Sequence, residues 1–202
     1  MADAGILLLA FLLGSIPFSN LVARLVKGVD LRDTPYGTVG GTSIYRVAGF
    51  WPLALAGILD MAKGALGPLL AGDHGTLAAL AGGAAVIGHN WSPFLGGKGG
   101  RGVAPALGAL AVTAWPGMIV LLGSMVLGKA VHETGLGGFV GKVALTPVIA
   151  LTHGACGAVA GGAVAVPMLT KRVLANSRPP TPGIEPYVRR LLFDRDPDTP
   201  TP

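Results

Sequence analysis

The sequence predicts an all-α polytopic integral membrane protein with seven transmembrane helices, some of them short, and three observations predict it. Of 202 residues, 51% are hydrophobic and only 12% charged, about half the charge of an ordinary soluble domain. Charge-free windows cover residues 4–23, 75–97, 102–128 and 143–170, each close to or above the ~20 residues that cross a bilayer. The cations between them are sorted: Lys27, Arg32 and Arg46 in one connection, Lys98 and Arg101 in another, Lys171, Arg172 and Arg178 after the last window. The positive-inside rule places these three segments in the cytoplasm. The connection at residues 73–75 carries no Lys or Arg, so the amino end is expected outside and the carboxyl end inside.

Composition excludes several classes. The 33 glycines and 16 prolines show no G-X-Y period and are separated by apolar stretches, so neither collagen nor disorder fits, whereas Gly-rich membrane helices do. Cys156 stands alone, which rules out an intramolecular disulfide framework or a cysteine-built zinc site; it is expected as a small buried filler. The net charge of +5 goes with only 6% aromatic residues and no basic aromatic face, so nucleic acid is not an expected partner.

Taken in order, the first span, residues 4–23, is preceded by Asp3 rather than a basic segment and is expected to be retained, not cleaved as a signal peptide. The second, residues 47–72, is interrupted by Asp60 and Lys63; spaced i and i+3, they share one helical face and are expected to pair. Residues 75–97 form the third. The stretch 102–128 either crosses once or turns near Trp115-Pro116-Gly117 and crosses twice, each half then giving only about 20 Å of helix from ~13 residues. The stretch 138–170 likewise holds one crossing or two, breaking near Thr152-His153-Gly154. Five and seven spans leave both termini on the same sides, but seven puts Lys129 and Lys142 inside, where lysines belong. Residues 1–175 thus form the membrane domain. Residues 176–202, NSRPPTPGIEPYVRRLLFDRDPDTPTP, are rich in proline and charge and are expected to be a disordered cytoplasmic tail.

The chemistry-bearing residues lie in the cytoplasmic connections. The first reads VDLRDTPYGTVGGTSIYR over residues 29–46. Gly37, Gly40 and Gly41 allow close backbone approach among the hydroxyls of Thr38, Thr42 and Ser43, and Arg46 supplies a planar fork suited to phosphate. The second reads LGGKGGRGVAPALG over residues 95–108. Lys98 and Arg101 frame Gly99 and Gly100, and Gly102 leads into a helix whose free amides add to a second anion cradle. G-x-x-x-x-G-K-[ST] is absent, so a P-loop nucleotide hydrolase is disfavoured. His89 sits at the cytoplasmic end of the third span, where it can donate hydrogen bonds. His74 and His153 have no neighbouring carboxylate or cysteine cluster, so no metal is expected.

The order GSIPFSN, VDLR, a Gly-rich loop ending in Arg46, LDMAKG and GHNWSPFLGGKGGRGVAPALG resembles the acyl-phosphate-dependent glycerol-3-phosphate acyltransferases over residues 14–108. Family members are seven-helix plasma-membrane proteins with the amino end outside. Their first loop approximates GSGNxGATNxxR and their second KGGKGVAT, and a third segment after the last span carries a His and an Asn. Gly37, Gly40, Thr42, Arg46, Asp60, Lys63, Gly64, Gly88, His89, Lys98, Gly99, Gly100, Gly102, Val103 and Ala104 match by position. This chain departs from the pattern where the family serine falls at Tyr36, its asparagines at Thr38 and Ser43, and its second-loop lysine at Arg101; no histidine follows His153, although Asn176 is kept.

The resemblance implies transfer of a fatty acyl group from acyl phosphate to the 1-hydroxyl of glycerol 3-phosphate, in phospholipid synthesis at the bacterial inner membrane with the site facing the cytoplasm. No cofactor is implied; a soluble enzyme that makes the acyl phosphate is implied as a partner, and the basic loops favour anionic membrane lipids. Arg46, Lys98 and Arg101 are then the expected catalytic cations. Gly37, Thr38, Gly40, Gly41, Thr42, Ser43, His89, Gly99, Gly100, Gly102 and Asn176 are the expected substrate-binding residues. The altered motif positions leave a competing reading, a catalytically inactive relative that binds lipid phosphate or acts as a scaffold.

Overall fold

The computed structural model describes residues 3–35 and 38–196. Among these residues the regular elements are all helical: α1 (Asp3–Gly14), α2 (Phe18–Lys27), α3 (Gly41–Ala48), α4 (Phe50–Ala71), α5 (Gly75–Asn90), α6 (Val103–Thr113), α7 (Trp115–Ala130), α8 (Thr134–Leu174) and α9 (Glu185–Phe193), with short 3-10 turns at Leu31–Asp33 and Pro93–Leu95. Three stretches, Asp3–Lys27, Phe50–Ala71 and Thr134–Leu174, are long and apolar enough to cross a membrane, and Val103–Thr113 and Trp115–Ala130 are shorter apolar helices.

Backbone chemistry sets the breaks. The first apolar stretch is not the one continuous helix that its run of apolar residues predicts: α1 ends at Gly14, and α2 restarts after Pro17, which lacks an N–H to continue the ladder. α2 is amphipathic, burying Ser19, Asn20, Val22 and Ala23 and ending in Lys27 before the left-handed Gly28. The stretch 102–128 does divide, at Ala114, one residue ahead of the expected turn, with Pro116 in the first turn of α7. α8 is one element by hydrogen bonding but carries a non-helical backbone at Gly154. Its two arms fold back on each other: a Cβ on Gly161 would lie 2.7 Å from Cα of Thr146, and the Arg172 guanidinium donates to the Gly135 carbonyl at 2.7 Å. In a straight helix residues 135 and 172 would be about 55 Å apart. The expected break near Thr152-His153-Gly154 is therefore a hairpin. Cys156, two residues beyond it, is exposed and not buried, its sulfur 3.9 Å from the Thr76 hydroxyl at the start of α5.

Small residues let the helices approach closely. The main core joins Val86, Ala106, Leu110, Leu145, Ile149, Val164 and Met168 from α5, α6 and both arms of α8. A second cluster, Val22, Leu31, Val39, Ile44, Ala56 and Leu95, seats the first connection against α2 and α4. The outward faces are apolar too: Trp51 is 80% exposed and Leu151 88%, as in a protein whose solvent is lipid. Where α4 crosses α6, a Cβ on Gly108 would lie 1.8 Å from the Met61 carbonyl oxygen and one on Gly64 2.0 Å from that of Pro105, so the backbones are in contact. A methyl group there must push backbone, not a pliable side chain. Gly108→Ala is expected to destabilise the protein by about 1–3 kcal/mol, read as a lower melting temperature in detergent; an unchanged melting temperature would contradict this crossing.

The stretch after Ala175 is expected from its composition to lack fixed structure, yet Glu185–Phe193 is helical and packs on α8. Pro186 occupies its first turn, where a missing N–H costs nothing, and the buried Arg190 donates to the Ser177 carbonyl and pairs with Asp196. Long-range ion pairs, Asp194 with Arg101 and Arg195 with Glu133, hold this segment where hydrophobic pattern alone does not.

Candidate active site

The second connection is built on the end of α5. Gly100 N–H donates to the His89 carbonyl at 3.3 Å. A Cβ on Gly99 would lie 2.0 Å from that carbonyl oxygen and one on Gly100 2.3 Å from His89 Nε2. Glycine is needed because the loop lies directly on His89 and Asn90. Gly102, at φ 76°, caps α6 from the left-handed region that favours glycine. Asn90 Nδ2 donates to the Pro167 carbonyl at 2.9 Å, and the Ser92 hydroxyl to that of Ser15 at 2.6 Å.

Beneath this loop lies a buried polar column. Lys63 Nζ stands 2.8 Å from Asp60 Oδ1, confirming the pairing expected from the i, i+3 spacing. Ser19 Oγ donates to Asp60 Oδ2 at 3.1 Å, Lys63 also donates to the Ile16 carbonyl, and His89 Nδ1 is 3.7 Å from Asp60 Oδ1. Such charges are tolerated in an apolar interior only when partnered. His89 is 8% exposed and supports the loop from below.

The first connection meets the second edge on. Val39 N–H donates to the Gly99 carbonyl at 3.3 Å, and a Cβ on Gly40 would stand 3.6 Å from Cα of Gly100. Ser43 is fully buried and donates to the Thr38 carbonyl, closing the loop into α3. The Thr38 hydroxyl is buried with no hydrogen-bond partner among the described residues. Gly41, Thr42 and Arg46 are exposed on α3, while Gly37, like Tyr36, lies outside the described residues. Upstream, Asp30 is gripped by Arg32 and Arg24. Hydrogen bonds from Arg32, then Arg24, outweigh partial burial and hold its carboxyl well below the usual carboxylate range.

The end of α8 completes the arrangement. Asn176 Nδ2 donates to the Gly99 carbonyl at 2.9 Å, Lys171 Nζ to that of Gly97 at 3.3 Å, and Arg101 Nη1 to that of Lys171 at 2.9 Å. Between the second connection and this segment opens a cleft of about 430 Å³ lined by Trp91, Gly96, Gly97, Lys98, Lys171, Asn176, Arg178 and Tyr187 among others. Its walls carry three cations and no carboxylate, and the Lys171 ammonium lies 5.2 Å over the Trp91 ring. A cleft of this kind suits a phosphate group attached to an organic body.

Of the residues singled out in the sequence, Lys98 and Asn176 line or tie this cleft, and Gly99, Gly100 and Gly40 bring the two loops together. His89 lies below, Arg46 on α3, and Arg101 behind the cleft wall. Lys171, Arg178, Trp91 and Tyr187 are not among the expected site residues. For the two cations a signal exists, but it reads equally well as membrane sidedness; Tyr187 carries none.

A family model described as glycerol-3-phosphate acyltransferase matches residues 4–177. The glycerol-3-phosphate acyltransferase of Synechococcus sp. (strain CC9902) is 38% identical over 91% of this chain and 94% of its own. That of Shouchella clausii (strain KSM-K16) is 40% identical over 71% of this chain and 73% of its own. The crystal structure of PlsY (YgiH), an integral membrane glycerol 3-phosphate acyltransferase in its glycerol 3-phosphate form, superposes with a TM-score of 0.79 at 25% identity, covering 97% of this chain and 94% of that one. The lysophosphatidic acid form of the same protein shares the fold, with a TM-score of 0.78.

Proposed function

Because the chain belongs to the glycerol-3-phosphate acyltransferase family, we propose that it transfers a fatty acyl group from acyl phosphate to the 1-hydroxyl of glycerol 3-phosphate, giving 1-acyl-glycerol 3-phosphate. It is a membrane-embedded acyltransferase of phospholipid synthesis. The observation that carries the finer reading is the cationic cleft of Lys98, Lys171 and Arg178 beside the contact between the two glycine loops.

The chemistry asks little of the protein. In a mixed anhydride the phosphate is already a good leaving group, so positioning supplies much of the rate. The hydroxyl oxygen bonds to the acyl carbon, the bond from that carbon to the phosphate oxygen breaks, and the hydroxyl proton passes to the departing phosphate. Lys98, Arg46 and the cleft cations neutralise the two phosphates, and loop N–H groups steady the oxyanion that forms on the acyl carbonyl. Arg101 adds its charge from behind the wall. No covalent acyl-enzyme is needed.

In this reading seven spans place the amino end outside, and the loops and carboxyl end in the cytoplasm of a bacterial inner membrane, where a soluble enzyme delivers acyl phosphate. Residues 1–175 form the membrane domain, and residues 176–202 are an appended segment that lends Asn176, Arg178 and Tyr187 to the cleft. The test is formation of 1-acyl-glycerol 3-phosphate from labelled glycerol 3-phosphate by purified protein in detergent, with palmitoyl phosphate and, separately, palmitoyl coenzyme A. Product is expected with the phosphate donor alone; folded protein that makes none from either donor would overturn the reading.

A further inference from the structure

The family model ends at residue 177, but the chain does not stop touching the site there. Asp194 caps the end of α9 in the left-handed region, at φ 55°. Its carboxylate stands 2.9 Å from Arg101 Nε and 3.7 Å from Arg172 Nε. Arg101 belongs to the glycine loop of the second connection, and its Nη1 donates to the carbonyl of Lys171, which lines the cleft. Asp194, Arg101 and Lys171 therefore form one continuous polar tie from the appended helix to the cleft wall.

The tie is anchored at both ends. A Cβ on Gly135 would lie 2.0 Å from the Phe193 carbonyl oxygen, so the residue before Asp194 is pressed onto the start of α8. Arg172 bridges the same place, donating to the Gly135 carbonyl at 2.7 Å. The identity of residue 101 fits as well. The Arg101 guanidinium is oriented by its Nη1 hydrogen bond to the Lys171 carbonyl while its Nε edge faces the Asp194 carboxylate as an ion pair; an ammonium is a point charge on a flexible stem that does not fix this orientation. Arginine at this position, where the resemblance has lysine, matches the presence of Asp194.

We propose that Asp194 is a positioning residue for the cleft: acting through Arg101, it fixes the second connection against the end of α8 and so sets the spacing of the cations that bind phosphate. This rests on the acyl-transfer reading above. Two effects of removing the carboxylate oppose each other. Loss of a negative charge raises the local potential and favours anion binding, whereas loss of the hold on Arg101 loosens the wall. Asp194 is one-third exposed, so its long-range charge is screened, and losing the short-range ion pair that holds Arg101 outweighs the gain in potential.

The experiment is a double-mutant cycle on the full chain in detergent. Asp194→Asn is expected to raise KM for glycerol 3-phosphate about five- to tenfold while kcat changes less than about threefold, and Asp194→Glu to restore most of the loss. In an Arg101→Lys background Asp194→Asn is expected to change KM by less than about twofold, because lysine no longer carries the oriented tie from Asp194 to the Lys171 carbonyl. Melting temperatures of all variants are measured in parallel. A lowered KM, an equal KM effect in both backgrounds, or a loss confined to kcat that follows the melting temperature would overturn the proposal alone. No product from folded wild-type protein would overturn the acyl-transfer reading and this proposal with it.

Discussion

Replacing Lys98 and Arg46 together by alanine is expected to lower acyl transfer by about 100-fold or more, because a hydrogen bond from a charged group is worth about 1.5–3 kcal/mol and each ~1.4 kcal/mol is tenfold. Both side chains are exposed, and neither contributes to the buried clusters that hold the helices together. The melting temperature is therefore expected to stay within a degree or so of wild type. The measurement is initial rate with palmitoyl phosphate at several glycerol 3-phosphate concentrations, beside a melting curve. Unchanged transfer in the double variant would sink the assignment of these cations to the two phosphates. The single variants separate the loops: Lys98 lines the cleft and should act mainly on the group bound there, while Arg46 reports on the first connection.

The second large effect belongs to the buried ion pair. Asp60→Ala strands the Lys63 ammonium, 2% exposed, inside the helix bundle, and removing one member of a buried pair costs about 3–5 kcal/mol. A steep fall in melting temperature in detergent is expected. Activity should fall too, since Asp60 also faces His89, on which Gly99 and Gly100 rest. The informative control is the double replacement Asp60→Leu with Lys63→Met. Taking both charges away leaves no stranded ion, and replacing a buried pair by apolar residues is often near neutral for stability. Stability should recover in the double variant. If Asp60→Ala alone leaves the melting temperature unchanged, the pair does not lie in an apolar interior and the column beneath the loop is misassigned.

Much of this protein could be read from local sequence. Apolar runs announce membrane helices because burial in lipid depends on composition over about 20 residues, a local property. Trp115-Pro116 and Gly154 mark breaks because proline removes a donor and glycine accepts a backbone other residues avoid. Asp60 and Lys63 announce each other because three residues along a helix is a fixed distance. The glycine loops were legible for the same reason, since only a backbone without Cβ allows Gly99 and Gly100 to lie on His89 and Asn90.

Contacts between segments far apart in the chain were not legible. That Gly40 meets Gly100, that Lys171 and Arg178 join Lys98 around one cleft, and that α9 returns to place Asp194 against Arg101 depend on how the helices stack. No local pattern encodes such contacts. The tail shows this most plainly: its composition reads as disorder, yet its described residues, 176–196, are tied to the bundle by Arg195 with Glu133 and Asp194 with Arg101. The sequence by itself determined the apolar runs of the long helices, the breaks at Ala114 and Gly154 and the residue types able to bind phosphate, because these follow from composition and backbone chemistry. Only the tertiary structure decided which of those cations share a cleft and which brace its wall, because side chains distant in sequence become neighbours only once the helices have packed.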